Sequence, residues 1–203
     1  MKRVISALGI ITFALATIAA QSKLPAGWQM RTDDGATQPP AGIMFMTMGT
    51  GFHVMSGPAA IYYRPDMTKS GAYQVQATFQ QMEPAEHPEA YGLIVGGADL
   101  QGAAQKYTYF LVRQDGMFLV KRRAGANTPT VKDWTAHAAI KKTEKTSKGT
   151  NTLAVAVGAD KVRFLVNGTE VASAAANQVD TNGIVGLRIN HSLNVHVDQF
   201  SVK

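Results

Sequence analysis

The chain has 203 residues, with 20 Lys and Arg against 14 Asp and Glu, and contains no cysteine. The missing thiols exclude a disulfide framework, a thiolate metal site and a lipoprotein anchor, so stability must come from a packed core. The formal charge of +6 is a mild excess, and no helix-turn-helix, zinc-finger or ribonucleoprotein aromatic motif accompanies it, which excludes the common nucleic-acid modules.

Residues 1–20 read as a secretory signal peptide: Lys2 and Arg3 precede an apolar run from Val4 to Ile18, followed by Ala19 and Ala20. Loss of Lys2 and Arg3 leaves 18 basic against 14 acidic residues, a net +4. The run is short for a membrane span and does not recur, so no membrane insertion is expected. A secreted chain without disulfides suggests a bacterial periplasm or exterior. About 180 residues then suffice for one core and one domain.

Residues 21–50 are polar and irregular, with Trp28 as the large anchor, and read as an extended lead-in joining the main domain at 51–203. Met44, Met46, Met48 and Met55 form a methionine-rich stretch, expected to fill space adaptably in the core. A copper site would require those thioethers at the surface.

From Gly51 onward, runs of period two bounded by Gly, Asn and Asp recur, whereas helical periodicity does not. The expected strands are Gly51–Met55, Ala59–Tyr63, Ala72–Gln80, Tyr91–Val95, Lys106–Arg113, Met117–Arg122, Thr152–Val157, Lys161–Val166, Thr169–Ala174, Gly183–Ile189 and Val195–Val202. The prolines are expected between strands, because each lacks a ladder donor. Asp115-Gly116 and Asn167-Gly168 suit two-residue hairpin turns, and Gly158-Ala159-Asp160 a slightly longer loop. The fold class is therefore all-β, a two-sheet antiparallel jelly-roll sandwich.

Between two of these strands, Glu83, Glu86, His87 and Glu89 make the densest acidic cluster. Three carboxylates and an imidazole are donors that Ca2+ could take, but no EF-hand order of ligands is present, and a solvated loop is the expectation. No cofactor is expected. The other histidines, His53, His137, His191 and His196, lack zinc-helix spacing, and no nucleophile elbow accompanies them.

The hairpin at 108–123 carries the main functional expectation. A two-residue loop at 115–116 pairs Arg113 with Phe118 and Val112 with Leu119. One face then holds Thr108, Phe110, Val112, Met117 and Leu119, and suits the space between sheets. The other holds Tyr107, Tyr109, Leu111, Arg113, Phe118, Val120 and Arg122. Flat aromatics beside guanidinium groups match the apolar ring face and hydroxyl rim of a sugar. Trp134 falls in a loop at the rim. The Lys141, Lys142, Lys145 and Lys148 segment reads as a solvated loop.

The succession "GAYQVQATFQ", "AYGLIVGG", "YTYFLVRQDGMFLVKRRAG", "DWTAHAAI", "NTLAVAVGADKVRFLVNGTEVASA" and "GIVGLRINHSLNVHVDQFSV" resembles the concanavalin A-like lectin/glucanase superfamily. Within it, the order is similar to laminin-G-like and 3-keto-disaccharide-hydrolase-like domains of secreted bacterial proteins, over roughly Ala72 to Val202. The resemblance implies two antiparallel sheets with ligands on the concave face or its rim. It does not carry over an activity, because the glucanase Glu-x-Asp-x-x-Glu strand is absent and "EPAEHPE" is interrupted by prolines. The function expected is a secreted, non-catalytic carbohydrate-binding sandwich, using Tyr107, Tyr109, Arg113, Phe118, Arg122 and Trp134, with a carbohydrate or polysaccharide as partner. The alternatives are a hydrolase or lyase on a keto-disaccharide, drawing on Glu83, Glu86, His87 and Glu89, or a protein-interaction module of the cell envelope.

Overall fold

A computed structural model describes residues 23–203. The signal peptide expected at 1–20 lies outside the described residues. The described residues form two antiparallel sheets of seven strands each, with one turn of 3-10 helix at Ala176–Gln178. In chain order the strands are β1 (Gln29–Thr32), β2 (Met44–Met48), β3 (Gly51–Met55), β4 (Ala60–Lys69), β5 (Tyr73–Gln81), β6 (Ala90–Ala98) and β7 (Lys106–Arg113). There follow β8 (Met117–Ala124), β9 (Thr130–Ala136), β10 (Thr150–Val157), β11 (Lys161–Val166), β12 (Thr169–Ala175), β13 (Gly183–Ile189) and β14 (Asn194–Val202). One sheet runs β1-β4-β13-β6-β7-β8-β9 and the other β12-β11-β10-β5-β14-β3-β2.

The alternation seen in the sequence becomes the division between core and surface. Val75, Ala77 and Phe79 of β5, Leu93 and Val95 of β6, and Phe164 and Val166 of β11 point between the sheets. Apolar residues at every second position of both sheets bury one face of each against the other. Trp28 closes one end of this layer, with ring centroids 5.0 Å from Phe45, 4.9 Å from Phe52 and 5.6 Å from Phe200.

Every strand expected from the pattern is present, several with ends shifted by one to three residues and β4 running six residues beyond the expected Tyr63, and β10 to β12 form the expected meander. Val166 pairs with Thr169 across Asn167 and Gly168, whose φ angles of 52° and 82° are those a two-residue hairpin demands. Three strands were not expected. β1 and β2 are short and lie within the lead-in, so that segment supplies an edge strand to each sheet. β9 is an edge strand whose residues are all exposed or half-exposed, so it shows no apolar alternation. Pro65 falls inside β4, contrary to expectation, where the ladder to β13 shifts register between Ile184 and Gly186; a bulge tolerates the missing donor.

Two further corrections concern function. The methionines do not fill the core: Met46, Met48 and Met55 are the large apolar side chains exposed among the described residues. They alternate with Phe45 and Val54, which take the inward positions, so the thioethers point to solvent. The second correction is the register of the β7–β8 hairpin. Val112 pairs with Phe118 and Leu111 with Leu119, one residue away from the two-residue expectation.

The loop is Gln114-Asp115-Gly116, closed by the Gly116 amide donating to Arg113 O at 3.0 Å, with positive φ at Gly116 (90°) and not at Asp115. This is a type I turn followed by a left-handed glycine. Gln114 has a reason to sit in the loop: its Oε1 accepts from Gln81 Nε2 (2.9 Å) and the Ala85 amide (2.7 Å), and its Nε2 donates to Ala85 O. Gly116→Ala is expected to destabilise by about 1–2 kcal/mol, because an L-residue there must adopt a left-handed conformation. A urea titration checks this through a lowered midpoint at unchanged slope.

Candidate functional site

A one-residue slip in pairing moves a whole strand to the opposite face. Tyr107, Tyr109, Leu111 and Arg113 of β7 do point away from the inter-sheet core, as expected, but their companions on β8 are Leu119, Lys121 and Arg123. Phe118 instead lies in the inter-sheet core at 0% exposure, 6.3 Å from Phe110. Arg122 likewise belongs to the inner side of β8, opposite Thr108, where its Nε donates to Asp180 Oδ2 at 2.9 Å. Phe118 and Arg122 therefore do not share a surface with the tyrosines.

The outer face of the β1–β9 sheet carries a second apolar cluster: Ile61, Tyr63, Ala90, Ile94, Leu100, Tyr107, Tyr109, Leu111 and Leu119, with Trp134 and Ile184 packed against it. Tyr107 and Tyr109 are only 1% and 7% exposed. They are covered by Leu100, from the loop after β6, and by a guanidinium from two strands away. Arg188 of β13 reaches across β6 to place its guanidinium carbon 5.1 Å from the Tyr109 ring centroid. The residue of β6 directly opposite Arg188 is Gly92, which has no side chain to obstruct that path.

Arg188 is the organising charge of this face. Its Nη1 and Nη2 donate to Asp33 Oδ1 and Oδ2 at 2.9 and 2.7 Å, a bidentate fork, and Nη1 lies 3.3 Å from Tyr107 Oη. Asp33 sits in the turn after β1, where its amide donates to Ala59 O. Burial pushes the Asp33 carboxyl up, but the hydrogen bonds and charge of Arg188, with smaller help from Arg123 and His191, hold it below the ordinary carboxylate value. The Arg188 guanidinium stays protonated, since the same fork outweighs its burial. Sequence reasoning passed over both residues. The available signal was Arg188 itself, a lone charge between Leu187 and Ile189 in an otherwise apolar strand, which demands a partner.

Toward the β9 edge the face opens. Arg113 stacks over Trp134, with the guanidinium carbon 4.5 Å from the ring centroid, and its Nε and Nη2 donate to Asp115 at 3.0 and 2.5 Å. Both side chains are half-buried, and Trp134 stands on strand β9 rather than in a loop. The outcome is a guanidinium-on-indole plate at the rim, with Trp134 packed against the outer apolar cluster. A plate of this kind offers a flat apolar surface beside charged donors.

The acidic loop lies elsewhere. Glu86, His87 and Glu89 line a small cleft of about 130 Å3 with His191 and Ser192, and Glu89 Oε2 is 3.8 Å from His191 Nδ1. Glu83 is held apart, its carbonyl accepting from Gln81 Nε2 and its carboxylate from Asn194 Nδ2. Among the described residues, no three His, Cys, Asp or Glu side chains converge closely enough to hold a metal ion. No helix among them is long and apolar enough to cross a membrane.

This architecture is that of a two-sheet antiparallel jelly-roll sandwich. The carbohydrate-binding module CBM66 from Bacillus subtilis is similar, with a TM-score of 0.62 at 10% identity over 91% of this chain and 97% of its own. The Bacteroides ovatus mixed linkage glucan GH16 protein, in complex with a product, gives 0.60 at 8% identity over 87% and 94%. A Bacillus subtilis protein of unknown function with a galectin-like fold gives 0.59 at 13% identity over 86% and 88%. In sequence, no family model and no curated protein matches the chain.

Proposed function

We propose that the chain is a secreted, non-catalytic carbohydrate-binding sandwich that engages its ligand on the outer face of the β1–β9 sheet, at the Arg113–Trp134 plate. The observation that carries this reading is the guanidinium held 4.5 Å over an indole at an open rim. A sugar ring can lay its apolar face on such a plate while its hydroxyls take hydrogen bonds from Arg113 and give them to Asp115. Tyr107 and Tyr109 are part of the apolar cluster against which Trp134 packs, and Phe118 belongs to the inter-sheet core behind it. The known structures that share this fold include a carbohydrate-binding module and a glucan-acting protein, which agrees with a sugar ligand.

Binding is favoured over turnover of a keto-disaccharide. The cleft lined by Glu86, His87, Glu89 and His191 encloses about 130 Å3, below the roughly 300 Å3 at which ligand pockets usually begin. A glycan array tests the proposal. Trp134→Ala and Arg113→Ala are expected to lower the signal on bound glycans by roughly five- to thirtyfold, the loss of a stacking contact worth about 1–2 kcal/mol. Their melting curves should remain close to that of the unaltered protein. An array with no bound glycan, or binding indifferent to both substitutions, would overturn it.

A further inference from the structure

The opposite sheet carries an arrangement that sugar binding does not use. Strand β2 reads Met-Phe-Met-Thr-Met, and its register with β3 sets Met44 opposite Met55 and Met46 opposite His53. These four side chains occupy two adjacent rows on one pleat face, the solvent side of an edge hairpin. Side chains directly opposite stand about 5 Å apart at Cβ, and successive rows about 7 Å apart. Three thioethers and an imidazole can thus close on one point above the block, because each methionine sulfur swings on flexible single bonds.

Their exposure is the unusual part. Met46, Met48 and Met55 are 45%, 53% and 41% exposed. Edge strands are ordinarily guarded by lysine, proline or other charged residues, and an uncharged strand of thioethers gives up that protection. A thioether is a poor hydrogen-bond acceptor and a soft metal ligand, so the block offers little to water or a hard cation and much to a soft one.

The imidazole is prepared in the same sense. His53 Nδ1 is covered and has no hydrogen-bond partner among the described residues. His196 lies directly opposite His53 on β14, and its Nε2 stands 3.4 Å from Asp198 Oδ2, the carboxylate–imidazole contact that orients histidines around metals.

We infer that Met44, Met46, Met55 and His53 form a binding site for a soft monovalent cation, Cu(I), with His196 and Asp198 flanking it. Its neutral donor set selects against Ca2+ and Zn2+, which favour oxygen or thiolate and histidine-rich shells.

The purified protein, titrated anaerobically with Cu(I) against bicinchoninate, is expected to take one ion from the chelator, and Ag(I) should compete for the same place. Replacing the three thioethers by Met44→Leu, Met46→Leu and Met55→Leu together keeps apolar bulk and should weaken Cu(I) on the order of 100-fold or more. Met46→Leu alone, at a solvent-facing position, should weaken it measurably without moving the melting curve. X-ray absorption of the loaded protein should show sulfur and nitrogen scatterers. A protein that leaves all copper with the chelator, a folded triple variant that retains full affinity, or a metal shell of nitrogen and oxygen alone would overturn the inference.

Discussion

Replacing Asp33 with Ala is expected to destabilise the protein by about 2–3 kcal/mol, because it strands the Arg188 guanidinium without its counter-charge. Arg188 is buried against Tyr107 and Tyr109 and cannot turn to solvent without uncovering them. The figure sits below the full cost of orphaning a buried charge because 39% of the Asp33 side chain is exposed, and water screens part of the pair. For a chain of this size that corresponds to a melting temperature lower by roughly 4–12 °C. Adding Arg188→Met should recover much of the loss, since exchanging a whole ion pair for apolar volume is often near neutral.

The same pair sets an acid limb. Because the folded Asp33 carboxyl titrates below its ordinary value, its contribution is fully present above about pH 4 and fades as pH falls through the lowered folded value. Denaturation midpoints measured between pH 7 and pH 3 should therefore fall more steeply for the unaltered protein than for Asp33→Ala. Parallel profiles would show that the ion pair contributes nothing to folding.

Phe118→Ala is expected to cost about 4 kcal/mol, the penalty of emptying a large aromatic site in a packed core. Phe118 is fully enclosed between the sheets, beside Phe110, which in turn lies 5.4 Å from Phe164 of the facing layer. The melting temperature should fall by roughly 8–16 °C. Had the hairpin turned in two residues, Phe118 would face outward and its truncation would register within about 0.5 kcal/mol, as surface changes usually do. A small effect would therefore contradict the observed register as well as the energy.

That hairpin shows where the sequence stops being sufficient. Alternation located β7 and β8 correctly, since inward Phe110 and Val112 and outward Tyr109 and Arg113 are dictated by a period of two. The turn could not be settled from Asp115-Gly116 alone. What draws Gln114 into the loop is Gln81 and Ala85, about thirty residues away in sequence. Asn167 also bonds to distant groups, Ala139 O and Asn151 Oδ1, but these are met from within the two-residue turn that Asn167-Gly168 favours. β9 stayed hidden for a related reason: an edge strand with no buried face carries no periodic signal, so Trp134 looked like part of a loop.

The candidate site was legible to the same degree. Tyr107, Tyr109 and Arg113 share a face because strand geometry alone places them there. Their cover by Arg188 and Asp33 depends on strand order, which brings β13 beside β6 and which no local pattern encodes. The methionines were misjudged because composition marks a residue as apolar without saying which way its strand faces. That direction follows from Phe45 and Val54 claiming the inward positions.

Strand β14 fills the slot between β3 and β5 although it follows every other strand in chain order. Until it arrives, its sheet exists as two unjoined fragments, β2 with β3 and β5 with β10 to β12. Assembly must then proceed by inserting a late segment between early ones, a contact pattern of great sequence separation that makes for slow folding.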